Sequence, residues 1–125
     1  MMGLFKVLFG LSGEQIGPHE AVQRMNAGVV LVDVREAHEF ASGHAPKAHH
    51  LPLSRTRAGH TALLQTLTLP PEIGEILLIC ESGVRSRLAQ ASLSRATECR
   101  YVNVSGGMNA WLAAGLPVSR GAARG

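Results

Sequence analysis

The sequence predicts one α/β domain with a mostly parallel central sheet and helices on both of its faces. Three short apolar runs, rich in Val, Ile and Leu, alternate along the chain with stretches that have helical spacing. Apolar runs of this kind are typical of strands buried on both faces, and strands that alternate with helices form parallel sheets. The length of 125 residues suits one hydrophobic core, and the 46% of apolar residues indicates a packed globule.

The apolar periodicity and the glycine and proline stops place these elements along the chain. The strands are predicted over 29–34, 76–79 and 101–104. Helices are predicted over 19–27, 36–42, 59–67, 86–96 and 108–114. A further extended stretch is predicted over 49–53, where Pro52 limits its pairing. Ligands of such folds bind at the carboxyl ends of the strands, so a binding site is expected at the loops after residues 34 and 79.

Composition and charge exclude several classes of function. The net charge of +3 is scattered, and neither a Lys/Arg block nor alternating aromatic and basic residues indicates nucleic-acid binding. Two cysteines without a CxxC pair predict neither a disulfide framework nor a zinc site, and they favour a reducing, cytoplasmic setting. The six histidines have poor ligand spacing, so no metal is predicted.

Three parts of the chain are distinguished by composition. Residues 1–11 are mostly apolar, too short to span a bilayer and without the features of a signal peptide. Contact of this segment with a membrane surface or a partner is compatible with its spacing, but packing on its own domain or loose order is the favoured interpretation. Residues 12–118 form the predicted domain, and the small, basic residues 119–125 are predicted to be a frayed tail.

Cys80 is the predicted nucleophile, because it directly follows the apolar run 76–79 at the carboxyl end of a strand. A glycine in the following loop permits backbone conformations that point successive N–H groups inward as an anion nest. The amino end of the next helix adds a positive field that favours the thiolate, the reactive form, and Arg85 adds a permanent charge. The predicted substrate-binding residues are Glu81, Ser82, Gly83, Val84, Arg85 and Ser86.

Three segments, which follow one another along the chain in the order usual for the family, resemble the hallmarks of the rhodanese family. The loop CESGVRS at 80–86 resembles the family's active-site loop, with four residues between Cys and Arg and then Ser or Thr. The segment LVDVREAHEFASGHAPKAHHLPL at 31–53 resembles its Asp-Val-Arg motif followed by Gly-His-Ile-Pro-Gly-Ala. The segment VSGGMNAWLAAGLPV at 104–118 resembles its closing Gly-Gly, Trp and Gly-Leu-Pro-Val. The resemblance covers most of the chain from Gln15 to Val118.

The resemblance implies a fold of five parallel strands and a sulfurtransferase activity. A sulfane sulfur would move from a small anionic donor such as thiosulfate to Cys80, and then to a thiol or cyanide. The resemblance requires neither a metal nor an organic cofactor. Two positions outside the loop 80–86 depart from the family pattern. Lys47 replaces the usual Gly, and His50 stands where Asn is common. Within the loop, Glu81 is expected to repel anionic donors slightly unless it points to solvent.

Several other residues have a structural and a functional interpretation. Asp33 and Arg35 follow a strand and either brace the loop or form a structural ion pair, which is the favoured interpretation. Arg55 and Arg57 either border the mouth of the site or are simply solvated. A structural role is predicted for the remaining three, with His44 in a turn, Trp111 in the core and Cys99 in packing or at the surface.

Three other functions remain open. A phosphatase or arsenate reductase on the same fold has five residues between Cys and Arg, whereas this chain has four. Non-enzymatic interaction modules of this kind usually lack the cysteine, which this chain keeps together with Arg85. A persulfide carrier in a sulfur relay, with a sulfur-acceptor protein as its partner, cannot be separated from a free thiosulfate enzyme on sequence.

Overall fold

A computed structural model describes residues 13–123 of the chain. Within this range five strands form one sheet in the order β1-β5-β4-β2-β3, and every neighbouring pair is parallel. The strands are β1 (Gln15–Ile16), β2 (Val30–Asp33), β3 (His49–His50), β4 (Glu75–Ile79) and β5 (Arg100–Val104). The helices are α1 (Pro18–Asn26), α2 (Ala37–Ser42), α3 (Leu53–Thr56), α4 (His60–Leu67), α5 (Val84–Leu93) and α6 (Gly107–Ala113).

The sheet is buried on both faces, as the apolar runs predict. On one face Val32 and Leu78 pack with Leu93 of α5 and with residues of α4. On the other face Leu77 packs with Trp111 of α6 and with residues of α1. Helices therefore cover both faces of a parallel five-stranded sheet, and the predicted fold class is confirmed. The core position of Trp111 is confirmed too, and its indole N–H donates to the Pro117 carbonyl at 2.9 Å.

The predicted strands and most of the helices agree with the structure to within one or two residues. The start of α5 differs in a way that matters for the site, because the helix begins at Val84 rather than Ser86. Gly83, with φ +97°, is the residue that precedes the helix, so Arg85 lies in its first turn rather than in a loop. The helix also ends earlier than predicted, at Leu93, and Ala96 has a left-handed φ of +57° that a continuing helix does not allow.

Two short elements were not located from the sequence. Strand β1 has two residues, one of them the exposed Gln15, so it has no apolar run to reveal it. Helix α3 begins directly after Pro52, within the stretch predicted to be extended. Four residues are too few for the apolar spacing of a helix to be recognised.

Residues 119–121 of the predicted frayed tail make backbone contacts with the domain. Ser119 and His44 exchange two backbone hydrogen bonds of 2.8 and 2.9 Å, and the Gly121 N–H donates to the Ala41 carbonyl at 2.9 Å. Backbone groups form these bonds, so the small and polar composition of the tail gave no sign of them. The predicted apolar segment 1–11 lies outside the described residues. Between residues 13 and 123 no helix has the length and apolar character needed to cross a bilayer.

Candidate active site

Cys80 lies at the carboxyl end of β4, the central strand, and its side chain is completely buried. Its Sγ accepts a hydrogen bond from the Gly83 backbone N–H at 3.1 Å. The Ser86 hydroxyl donates a second one at 3.2 Å. Two donors aimed at one sulfur stabilise negative charge on it when it is a thiolate. The structure thus brings together three of the predicted residues, and residues 80–83 are called the nucleophile loop below.

Gly83 determines the shape of this loop for two physical reasons. Its φ of +97° lies in the region that side-chain-bearing residues avoid, and this conformation turns its N–H back toward the sulfur. A Cβ at this position would also lie 3.1 Å from the Gly106 nitrogen. The Asn103 side chain of β5 donates to the Gly83 carbonyl at 3.2 Å and holds the loop from a neighbouring strand.

The amino end of α6 forms a second support that sequence reasoning missed. The Met108 N–H donates to the Cys80 carbonyl at 2.7 Å, and the Asn109 N–H donates to the Glu81 carbonyl at 3.0 Å. Gly107 makes this approach possible, since a Cβ there would lie 2.3 Å from the Cys80 carbonyl oxygen. The signal in the sequence is the Gly106-Gly107 pair between β5 and α6.

Arg85 forms a bidentate ion pair with Glu39 of α2. The two Nη atoms of Arg85 lie 2.7 and 2.9 Å from the two carboxylate oxygens of Glu39. Glu39 Oε1 also accepts the Glu36 N–H at 2.9 Å, in the capping box that begins α2. The hydrogen bonds from Arg85 lower the pKa of Glu39 to about 2, against the opposing effect of burial. The expected role of Arg85 toward an anionic donor remains a prediction, because its guanidinium is engaged by a carboxylate that sequence reasoning did not single out.

Asp33 and Arg35 combine both roles considered for them. Arg35 binds the fully buried Asp33 through an ion pair of 2.9 Å, and it donates to the Gly43 carbonyl at 2.7 Å. Its Nη1 also lies 3.1 Å from a carboxylate oxygen of Glu81 in the nucleophile loop. Burial opposes the charge of Arg35, but the hydrogen bond and charge of Asp33 and the charge of Glu81 raise its pKa. The pair is therefore a structural ion pair that also braces the loop.

The remaining loop residues lie on the surface around the site. Ser82 is exposed, and Val84 is 60% exposed at the amino end of α5. Helix α3 packs against α5, and Arg55 and the following Arg57 are exposed there. These two arginines are therefore solvated, next to the helix that carries Arg85 and Ser86.

Lys47 and His50, which depart from the family pattern, line the same cavity. Lys47 has a left-handed φ of +69°, which explains physically why glycine is usual at this position. The His50 Nε2 is 2.7 Å from the Arg35 carbonyl oxygen. The His44 Nδ1 is 2.7 Å from the Phe40 carbonyl oxygen, as expected of a turn-holding residue. Lys47, His44 and His50 line a cavity of about 620 Å³ at the β3 edge of the sheet.

Cys99 lies away from the loop that surrounds Cys80. It directly precedes β5, at the amino end of the parallel strands, whereas Cys80 lies at their carboxyl end. Its side chain is 8% exposed. Burial raises the pKa of its thiol to about 11. Among residues 13–123 no three His, Cys, Asp or Glu side chains are arranged to hold a metal ion.

Fold and site together define a parallel α/β domain with a buried cysteine in an anion-stabilising loop at the end of its central strand. Residues 17–114 match the family model of the rhodanese-like domain, and the chain belongs to that family. Its structure is similar to that of a rhodanese-related protein from Thermoplasma volcanium, at 26% identity and a TM-score of 0.70. That match covers 85% of this chain and 97% of the other.

Several relatives have names that refer to sulfur transfer. The chain is 34% identical over 90 residues to a protein of Allochromatium vinosum named "Sulfurtransferase", covering 72% of this chain and 78% of the other. It is 30% identical over 105 residues to the thiosulfate sulfurtransferase GlpE of Actinobacillus pleuropneumoniae, covering 83% and 91%. It is 39% identical over 95 residues to the uncharacterized protein slr1261 of Synechocystis, covering 75% of this chain. The match spans only about half, 49%, of that cyanobacterial protein.

Proposed function

We propose that this protein is a sulfurtransferase that moves a sulfane sulfur from thiosulfate or a similar donor to a thiol or cyanide. The observation that carries the proposal is the sulfur of Cys80, which accepts one hydrogen bond from Gly83 in the loop and one from Ser86 in the first turn of α5. Relatives that are named as sulfurtransferases support the reaction class.

The first half of the reaction forms a persulfide. The Cys80 thiolate attacks the outer sulfur of thiosulfate, the S–S bond of the donor breaks, and sulfite leaves with the electron pair of that bond. The outer sulfur remains on Cys80 as a persulfide anion. In the second half, cyanide or a thiolate attacks that outer sulfur, and the electron pair returns to the Cys80 Sγ. With cyanide the product is thiocyanate, and neither half requires a proton transfer.

The surrounding residues stabilise the negative charge of the Cys80 sulfur and fix its position. The Gly83 N–H and the Ser86 hydroxyl face the sulfur before the reaction begins, so they need no reorganisation as its charge changes. Because the Met108 N–H binds the carbonyl of Cys80 itself, the nucleophile is fixed from its backbone as well. The reaction requires a reduced cysteine, which is why we place the protein in the cytoplasm.

Loop size supports sulfur over phosphoryl transfer. Residues 81–83 alone separate Cys80 from the first residue of α5. A phosphoryl group has three oxygens that need donors, whereas a terminal sulfur needs fewer. The loop directs one backbone N–H, that of Gly83, at the Cys80 Sγ, and the first turn of α5 adds the Ser86 hydroxyl. A short loop with few hydrogen-bond donors therefore favours binding of a terminal sulfur over a phosphoryl group.

The test compares two activities in three proteins. Thiosulfate-dependent thiocyanate formation and aryl phosphate hydrolysis are measured for the wild type, Cys80→Ser and Cys99→Ser. We expect sulfur transfer in the wild type, its abolition in Cys80→Ser, and most of it in Cys99→Ser. Aryl phosphate hydrolysis through Cys80 at a rate that equals or exceeds sulfur transfer would favour the phosphatase instead.

A further inference from the structure

The cavity of about 620 Å³ at the β3 edge of the sheet, the β3-edge cavity below, has no part in the proposed reaction. Its lining residues come from three parts of the chain that only the fold brings together, within 40–50, 66–68 and 119–123. No residue of the nucleophile loop lines it. Its volume lies in the range of sites that bind small organic molecules.

The charged side chains that line the β3-edge cavity are basic. Lys47, Arg120 and three histidines line it, and no Asp or Glu of the described residues does. Neither Lys47 nor Arg120 forms an ion pair within residues 13–123, whereas the Arg35 and Arg85 guanidinium groups near Cys80 are paired with carboxylates. The Arg120 Nε donates to the Ser42 carbonyl at 3.2 Å, and within the same residues its two Nη groups are left for a ligand.

The permanent positive charge of the cavity comes from Lys47 and Arg120. Burial lowers the pKa of His49, so this imidazole is a neutral hydrogen-bonding group at neutral pH rather than a further cation. Lys47 and Arg120 are exposed to water, where the attraction between charges is weak and is screened by salt. An anion that contacts both side chains is therefore expected to bind with modest affinity that depends on salt.

Two strained backbone positions line the same cavity. Among residues 13–123 three non-glycine residues have a positive φ, and two of them, Lys47 at +69° and Thr68 at +54°, line it. Residues other than glycine rarely adopt this conformation, least of all a β-branched residue such as threonine, and strained residues of this kind are concentrated at binding sites. The family pattern usually has Gly at position 47, so a basic side chain stands here in place of the residue that would fit without strain.

We infer that the β3-edge cavity binds a small organic phosphate. A phosphoryl group has close to two negative charges and three acceptor oxygens, which match two permanent cations and the nearby hydroxyl groups of Thr66, Thr68 and Ser119. Ala48 and Leu67 provide an apolar lining for the organic part of the ligand. Because the cavity is separate from Cys80, the inference does not depend on the proposed function.

The test uses two aromatic anions that differ in charge. Phenylphosphonate is a stable analogue of an organic phosphate with close to two negative charges at about pH 7.5, whereas benzoate has one. Shifts of the backbone amide signals in NMR spectra, followed during titration, give both the affinity and the location of the probe. The proteins are the wild type, Lys47→Gln, Arg120→Gln and Arg95→Gln. Arg95 is exposed after α5 and does not line the cavity, so its variant is the matched control for the loss of one positive charge.

We expect phenylphosphonate to shift the amide signals of residues 47–50, 66–68 and 119–123 rather than those of 80–86, and to bind at least about fivefold more tightly than benzoate. Lys47→Gln and Arg120→Gln should each weaken the binding of phenylphosphonate about three- to tenfold, and Arg95→Gln should leave it within about twofold of the wild type. Added salt should weaken binding to the wild type. Lys47→Gly, which also removes the strained φ, should bind as weakly as Lys47→Gln without a loss of stability.

Four results would overturn the inference. The absence of saturable shifts up to about 10 mM phenylphosphonate would show that the cavity does not bind such an anion. Shifts confined to residues 80–86 would place the anion at the Cys80 loop instead. Equal losses of affinity in Arg95→Gln and Lys47→Gln would mean that the net charge of the protein, not this cavity, attracts the probe. Binding of benzoate as tight as that of phenylphosphonate would exclude a phosphate as the preferred ligand.

Discussion

Replacement of Gly107 by alanine tests whether α6 holds the nucleophile loop. In the native geometry the new methyl group would lie 2.3 Å from the Cys80 carbonyl oxygen and 2.7 Å from the Glu81 carbonyl carbon and oxygen. These are backbone atoms, which cannot move aside as a flexible side chain would. The loop and α6 must therefore separate, and the hydrogen bonds of Met108 and Asn109 to the two carbonyls are lost.

The expected loss of stability follows from these contacts. Two backbone hydrogen bonds contribute about 1 kcal/mol each, and alanine at a φ of +56° costs about 1 kcal/mol more. Gly107→Ala should therefore lower the free energy of unfolding by about 3 kcal/mol. The displaced sulfur should lower kcat/KM for sulfur transfer about a hundredfold.

Gly115→Ala is the matched control for this prediction. Gly115 also has a left-handed φ, +74°, but a Cβ there would have no neighbouring atom within 4 Å. This variant should lose about 1 kcal/mol of stability and keep its activity. Urea unfolding and the thiosulfate–cyanide assay measure both quantities. Equal stability losses in the two variants, with the Gly107→Ala activity within about twofold of the wild type, would refute the reasoning.

Cysteine labelling, pH-dependent unfolding and one strained backbone position provide three further tests. Because burial raises the pKa of Cys99 to about 11, native Cys80→Ser should resist iodoacetamide at pH 8, and rapid labelling would contradict the account. Glu39→Gln should lower the free energy of unfolding by about 1–2 kcal/mol at pH 7. The pKa of Glu39 in the folded protein, about 2, lies below its unfolded value, so the stability difference between wild type and Glu39→Gln should disappear as the pH falls from about 4.3 toward 2. If urea unfolding gives the same difference at pH 7 and pH 3, the ion pair with Arg85 is not the source of the stability difference. Lys47→Gly should raise the free energy of unfolding by about 0.5–1 kcal/mol by relieving its left-handed φ, and no change or a loss in the same assay would show that Lys47 is not strained.

The sequence predicted the parts of this fold that burial and local conformation determine. Strand β4 was recognisable because all its residues from 76 to 79 are apolar and fully buried. Gly83 was recognisable as the turn beside the nucleophile because its conformation is a property of the residue itself. Strand β1 was not located, because its pairing with β5 depends on backbone groups that every residue has.

The contacts around the site could not be derived from local patterns. Glu39 and Arg85 are 46 positions apart, and only the tertiary structure brings their charges together. The role of Gly107 depends on the approach of α6 to two carbonyl oxygens, which no spacing along the chain reveals. Local sequence thus predicted Cys80 at the end of β4 and the glycine of its loop, whereas the tertiary structure determines which charged side chains surround them.

Intact-mass analysis of the protein after treatment with thiosulfate shows whether Cys80 takes up sulfur. We expect the added mass of one sulfur atom on the wild type and on Cys99→Ser, its removal by cyanide, and no addition to Cys80→Ser. A folded wild-type protein that gains no sulfur would contradict the persulfide mechanism. So would a gain of sulfur that persists in Cys80→Ser.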